Sequence, residues 1–260
     1  MPEKVLLTQS DRDILDIVQI TDPHIVADND VRFANVDTAL TLTRVINDIN
    51  LNEAPDLVLL SGDLVNEVST QSYRRLMQIL HALSFPVYCL PGNHDEPFLM
   101  HAELNVGKVS TEKKLQSQYW DILLLDSVLA NSQSGFLGDA ELEFLEHQLA
   151  RSEDKHVLVV LHHHPVPVNS PWMDRMMLNN AEEFFTVLDR FPQVRAVLWG
   201  HIHQDFSQNR SGMLLLGCPS TCVQFNLDQE SSEIVDKPPA YRRLKLFKNG
   251  EIETGIRWLE

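Results

Sequence analysis

The chain has 260 residues, 43% of them apolar and 22% charged, which suits a soluble globular protein with a substantial core. It carries 21 Lys and Arg against 37 Asp and Glu, a formal charge of −16, so its surface repels nucleic-acid backbones and anionic membranes. No apolar run approaches the roughly 20 residues of a membrane helix, Met1 to Ser10 shows no secretory pattern, and Cys89, Cys218 and Cys222 lack CxxC spacing; the expectation is a cytoplasmic protein with reduced thiols.

Short β-rich runs alternate with helical patterns from the start. Asp16 to Ile20 reads as a strand, and residues 35–51 place Val36, Ala39, Leu40, Val45, Ile46 and Ile49 near helical spacing, with Asn35 as the cap. Leu57 to Leu60 is a continuous apolar strand, Ser69 to Leu83 a helix, and Val87 to Leu90 the next strand, a βαβαβ series that predicts parallel strands buried on both faces. Trp120 to Leu125, His156 to Leu161 and Val194 to Trp199 continue the strands, with helices over Asp139 to Arg151 and Asn180 to Arg190. The last third turns to strands: Met213 to Leu216, Thr221 to Phe225, Tyr241 to Lys248 and Glu251 to Trp258, the final pair joined by Asn249-Gly250, a type I′ hairpin signal. Residues 226–240 are polar, acidic and Pro-containing and read as an exposed loop; no linker or repeat divides the chain, so one domain spanning 1–260 is expected.

Candidate ligands for metal fall in five clusters, each just after a predicted strand: Asp22 and His24; Asp63 after Gly62; Asn93, His94 and Asp95 after Gly92; His162, His163 and His164; and His201 and His203 after Gly200. In open α/β sheets ligands bind beyond the carboxyl ends of the strands, so residues distant in sequence converge there. Asp, Asn and His without Cys form an oxygen and nitrogen set for hard or borderline divalent ions, and two such ions close together serve in-line displacement at phosphorus. A single Asp-x-His is a weak signal, since a strand-end Asp is as often a turn residue; five clusters in this order are specific.

That order, DxH, GD, GNHD, HHHP and GHxH, resembles the calcineurin-like metallophosphoesterases over about residues 16–205. Leu90–Asp95, Leu161–Pro167, Trp172–Asp174 and Pro219–Phe225 further resemble the bacterial class III cyclic-nucleotide phosphodiesterases. The resemblance implies an α/β fold, a four-layer αββα sandwich of two mostly buried mixed sheets flanked by helices. It implies a dinuclear-metal enzyme hydrolysing 3′,5′-cyclic AMP to 5′-AMP, water activated by the metals attacking phosphorus as hydroxide. The alternative within the same chemistry is another small phosphodiester, such as a glycerophosphodiester or a 2′,3′-cyclic nucleotide. Two divalent ions per chain are implied, Fe2+ or Mn2+ with Zn2+ admissible.

Carried over residue by residue, Asp22, His24 and His203 hold one metal, Asn93, His162 and His201 the other, and Asp63 bridges them. Only one of the histidine triplet need be a ligand; His162, directly after its strand, is preferred to His163. His94 matches the catalytic histidine that meets the phosphate, with Asp95 placed to orient or charge-stabilise it, and His24, Asp63, Asn93, His94 and His203 also face substrate. Trp172, Met173 and Arg175 admit two readings, a lid over a nucleotide or a loop packed on the body. His81, His101, His147 and His156 lie outside the motifs and read as surface or helix-face residues. A nuclease of the same superfamily is disfavoured by the −16 charge and the lack of a basic stripe, and a non-catalytic scaffold by the filled ligand set. The expected partner is a small molecule, with neither nucleic acid nor membrane involved and oligomeric state unread.

Overall fold

The structure is a computed structural model that describes residues 5–6, 13–28, 30–228 and 230–260. In chain order the elements are β1 (Val5–Leu6), β2 (Ile14–Ile20), α1 (Thr38–Asn52), β3 (Leu57–Ser61), α2 (Thr70–Leu80), β4 (Val87–Leu90), α3 (Pro97–Leu104), β5 (Val109–Ser110), β6 (Lys114–Gln116), β7 (Trp120–Leu124), α4 (Asp139–Ala150), β8 (His156–Val160), a 3-10 turn at Met173–Met176, α5 (Ala181–Leu188), β9 (Val194–Trp199), β10 (Phe206–Arg210), β11 (Met213–Gly217), β12 (Gln224–Phe225), β13 (Ile234–Val235), β14 (Ala240–Phe247) and β15 (Ile252–Trp258). Most of the stretch Met1 to Ser10, and Gln229 within the expected loop, lie outside the described residues.

One sheet runs β15-β14-β2-β3-β4-β5 and the other β1-β6-β7-β8-β9-β11-β10. The inner strands β2, β3 and β4, and β7, β8, β9 and β11, are parallel, while β14, β10 and β6 pair antiparallel with β2, β11 and β7. Side chains alternate across a strand, and here both faces are apolar. Ile17, Leu57 and Leu59 from the first sheet meet Ile122, Leu124, Leu158 and Leu198 from the second in a core between the sheets. Val18, Ile20, Val58 and Leu60 point the other way, against Leu42, Ile46, Leu76 and Met100 of α1, α2 and α3. Leu123, Val157, Val159 and Val197 pack outward on Leu145, Leu149, Phe184 and Leu188 of α4 and α5. These are the four layers of the αββα sandwich expected from the motifs.

Local details differ from the sequence reading. Helix α1 is capped by Asp37, whose Oδ1 accepts from Leu40 N at 3.0 Å, while Asn35 sits two residues earlier with φ of 64°. Its buried stripe is Thr38, Leu42, Val45, Ile46 and Ile49, and Leu40 is 57% exposed. The β14–β15 connection is a three-residue loop with a single left-handed residue, Gly250 (φ 84°): Gly250 N donates to Phe247 O and Phe247 N to Glu251 O. A type I′ turn needs two such residues, so this is a type I turn followed by a glycine bulge. Of Thr221 to Phe225 only the last two residues form a strand, because Thr221 N and Oγ1 both donate to Thr21 O, tying the segment to the end of β2. Helix α3, absent from the sequence reading, is started by Pro97 at its first turn and by the Glu96 carboxylate, which accepts from Phe98 N and Leu99 N.

Candidate metal centre

All five clusters do lie at carboxyl ends: Asp22 and His24 after β2, Asp63 after β3, Asn93 to Asp95 after β4, His162 to His164 after β8, and His201 and His203 after β9. The loops turn inward at once, and Asp22, His24, Asp63, His201 and His203 all have φ between 45° and 65°. Left-handed backbone at non-Gly residues costs of order 1–3 kcal/mol each and persists where surrounding structure imposes it. Two glycines permit the approach of the loops. A Cβ on Gly62 (φ 94°) would lie 2.3 Å from His162 Nδ1, and one on Gly92 would lie 2.2 Å from Asp63 Oδ1.

The side chains form two lobes around Asp63. In one, His203 Nε2 lies 3.2 Å from Asp22 Oδ1, His24 Nε2 lies 3.6 Å from Asp63 Oδ2, and the two Nε2 atoms are 3.4 Å apart. In the other, His162 Nε2 lies 3.3 Å from Asp63 Oδ1, and ligand atoms of His162, His163 and His201 fall within 4.8 Å of one another. All of these residues are buried. Two of the rings are oriented through their other nitrogen: His162 Nδ1 donates to Ser61 O at 2.9 Å and His203 Nδ1 to Val223 O at 2.7 Å. A carbonyl only accepts, so each Nδ1 carries a hydrogen and each Nε2 is the atom turned inward, as metal-ligating histidines are held.

The donor set fits divalent metal. Asn93 Oδ1, His162 Nε2 and His201 Nε2 are buried without a hydrogen-bond partner, although buried polar atoms are nearly always satisfied. Burial presses His24 down to about 3, and burial with neighbouring histidines holds His201 well below its usual value, so both rings are neutral and ready to ligate. Burial opposes ionisation of Asp63, yet His162, His24 and His94 hold its carboxyl well below the ordinary range. Burial likewise opposes a charge on His162, but the Asp63 and Asp22 carboxylates raise it to about 9, a proton standing where a cation fits.

His94 is half-buried at the edge of the cluster. Its backbone N–H donates to Asp63 Oδ1 at 2.9 Å, its ring meets His24 edge-on at 4.8 Å, and its Nδ1 donates to Asn66 O at 3.0 Å. The expectation that Asp95 orients His94 is corrected. Asp95 Oδ2 accepts from Leu64 N and Gly92 N, and Oδ1 from Tyr73 Oη, so this carboxylate pins the β3 and β4 loops to α2. Burial and the Asp63 charge raise it to about 7 against those hydrogen bonds.

Of the triplet, His162 is the histidine that meets Asp63; His163 Nδ1 lies 2.8 Å from Ser127 Oγ, and His164 Nε2 lies 3.8 Å from Asp174. The loop after it is packed, since Met173 is buried in the outer core and Trp172 rests edge-on against Phe225 with Nε1 donating to Asn226 O; Arg175 is exposed. His101, His147 and His156 bond to residues away from the centre. Sequence reasoning missed Asn66, whose carbonyl holds His94; Gln133, whose Oε1 accepts from Asn93 Nδ2 at 2.9 Å; and Phe33 and Phe225, stacked on His24 and His203 at 4.6 and 4.2 Å. Carbonyl contacts leave no signature in residue type, and a lone Phe such as Phe33 or Phe225 carries none either.

Residues 15–205 match the calcineurin-like phosphoesterase family. A 3′,5′-cyclic-nucleotide phosphodiesterase of Nostoc sp. is 38% identical over 243 residues, 93% of this chain and 91% of that protein. A 3′,5′-cyclic adenosine monophosphate phosphodiesterase of Pseudomonas aeruginosa is 37% identical over 242 residues, 92% of this chain and 88% of that protein. The crystal structure of a dimetal phosphatase from Danio rerio superposes with a TM-score of 0.61 over 95% of this chain and 99% of that one; at 14% identity this concerns the fold alone. The chain belongs to the calcineurin-like phosphoesterase family, and its Asp and His clusters suit divalent metal ions.

Proposed function

We propose that this member of the calcineurin-like phosphoesterases is a dinuclear-metal phosphodiesterase that converts 3′,5′-cyclic AMP and water to 5′-AMP. The observation that carries the reading is the pair of buried, inward-facing ligand lobes that share the Asp63 carboxylate. Relatives of near-equal length that bear the cyclic-nucleotide name support the substrate. Asp22, His24 and His203 would hold one ion, Asn93, His162 and His201 the other, and Asp63 both; Fe2+ or Mn2+ suits this set, with Zn2+ admissible. Bound divalent ions supply Lewis acidity and lower the pKa of water.

The chain's own groups do the rest. Ser61 O and Val223 O hold Nδ1 of His162 and His203, so Nε2 is the ring atom each would offer to a metal. With Nδ1–H held by Asn66 O, His94 keeps Nε2 free to carry a proton. As water oxygen bonds to phosphorus and the P–O3′ bond breaks, His94 Nε2–H would protonate the departing 3′-oxygen, and the proton shed by the attacking water would replace it on Nε2. Such general acid catalysis is worth about 10²–10⁴-fold. His24, Asp63, Asn93, His94 and His203 would face the substrate phosphate.

The reading takes residues 1–260 as one such domain, acting on a small molecule in the cytoplasm, where buried Cys89, Cys218 and Cys222 remain reduced thiols. The −16 charge disfavours nucleic acid, and among the described residues no helix is long and apolar enough to cross a membrane. The test is a panel of small phosphodiesters offered to Mn2+-loaded protein. The reading predicts release of 5′-AMP from 3′,5′-cyclic AMP with the highest kcat/KM; a higher value for a 2′,3′-cyclic nucleotide or a glycerophosphodiester would transfer the substrate assignment.

A further inference from the structure

His24 differs from His162 and His203 in one respect. His162 and His203 each have Nδ1 fixed by a backbone carbonyl, whereas His24 Nδ1 is buried with no hydrogen-bond partner. A ligating histidine is ordinarily oriented by a partner on its second nitrogen. What meets the His24 ring instead is the face of Phe33, with centroids 4.6 Å apart and planes 16° from parallel, and the edge of His94.

Phe33 is itself held by a tight turn. Phe33 N donates to Val36 O and Val36 N to Phe33 O, closing a two-residue loop through Ala34 (φ 50°) and Asn35 (φ 64°). Two consecutive left-handed residues are the pattern of a type I′ turn, normally filled by Asn-Gly or Gly-Gly. Alanine has no side-chain hydrogen bond to offset the left-handed conformation, so the turn stores strain, a cost that recurs where a functional group must be placed. The far side of the turn is anchored as well: Thr38 Oγ1 donates to His24 O at 3.0 Å and Asp37 caps α1. Turn, cap and ring therefore form one support behind His24.

We propose that Phe33 is a positioning residue, its strained turn pressing a phenyl face on His24 so that Nε2 is held toward Asp22, Asp63 and His203 without a hydrogen bond on Nδ1. This rests on the reading of His24 as a metal ligand. An aromatic face fixes the plane of the ring and excludes water; His203 has both supports, Val223 O on Nδ1 and the Phe225 face at 4.2 Å, whereas His24 has the aromatic face without the carbonyl.

The test is Mn2+ titration of metal-free protein by calorimetry, on wild type, His24→Ala, Phe33→Leu and Phe33→Tyr. Phe33→Leu keeps apolar bulk but has no flat face; Phe33→Tyr keeps the face. The proposal predicts two binding steps in wild type, loss of one in His24→Ala, weakening of that same step by about tenfold in Phe33→Leu, and wild-type binding in Phe33→Tyr. Wild-type affinities in Phe33→Leu would overturn it, as would equal weakening of both steps, which marks general loosening. Unchanged Mn2+ binding with a raised KM for cyclic AMP would also overturn it, making Phe33 a surface for the nucleobase. Failure of the wild type to bind two ions would instead sink the dinuclear reading.

Discussion

Gly92→Ala is the substitution whose effect follows most directly from the geometry. The added methyl would lie 2.2 Å from Asp63 Oδ1, 2.3 Å from Asp63 N and 2.8 Å from His162 Nε2. The backbone nitrogen cannot swing aside, and Asp63 Oδ1 is already engaged by His94 N at 2.9 Å and by His162 Nε2 at 3.3 Å. Ordinary carbon contacts begin near 3.4 Å, so the β3 and β4 loops must separate by about 1 Å, a displacement that can lower catalysis about 10²-fold. Overpacking of this kind also costs about 1–3 kcal/mol of stability. Steady-state kinetics on cyclic AMP, with thermal unfolding of the same preparations, measures both. A Gly92→Ala protein with wild-type kcat/KM and Tm would refute the argument that these loops are held together by the close approach of Asp63 to Gly92.

Three further outcomes are expected. His94→Ala should lower kcat by about 10²–10⁴-fold while bound metal, measured by elemental analysis, stays unchanged; lost metal would make His94 a ligand. Tyr73→Phe removes the hydroxyl that donates to Asp95 Oδ1 and accepts from Glu96 N, and should cost about 1–2 kcal/mol in urea unfolding, with no loss meaning that water replaces it. Asp121 is fully buried; burial opposes its ionisation, but Ser152, Lys155 and Lys114 hold its carboxyl below the ordinary value. A lowered carboxyl stabilises the fold above its unfolded pKa, so Asp121→Asn should cost about 1–3 kcal/mol at neutral pH, the difference shrinking below about pH 4 as the native carboxyl protonates; a constant difference down to pH 2 would contradict the assignment.

The chain made its inner strands legible because they are buried on both faces: Val87–Leu90 and residues 157–161 are unbroken apolar runs, and their lengths leave little choice of ends. The ligand clusters were equally plain as a set, since five of them follow such runs in one order, although a single strand-end Asp is as often a turn residue. What stayed hidden depends on contacts across the fold. Leu40 fits the helical period of α1 but faces solvent, because the cap at Asp37 sets a stripe beginning at Thr38. Asp95, adjacent to His94, reads as its partner until the positions of Leu64, Gly92 and Tyr73 are known. Asn249-Gly250 matches a two-residue hairpin, yet the register of β14 on β15 leaves a three-residue loop. Phe33 and Gln133 lie in segments without any pattern, and only the folded chain brings them against His24 and Asn93.

The central claim is that Asp63 is shared between two metal lobes. Metal content of purified, Mn2+-loaded protein tests it most directly, with Asp63→Ala as the comparison and circular dichroism verifying the fold of both. The account predicts about two ions per wild-type chain and loss from both lobes in the variant, since each lobe contains one Asp63 oxygen. A single ion in the wild type, or a folded Asp63→Ala chain that still retains two tightly bound ions, would contradict it.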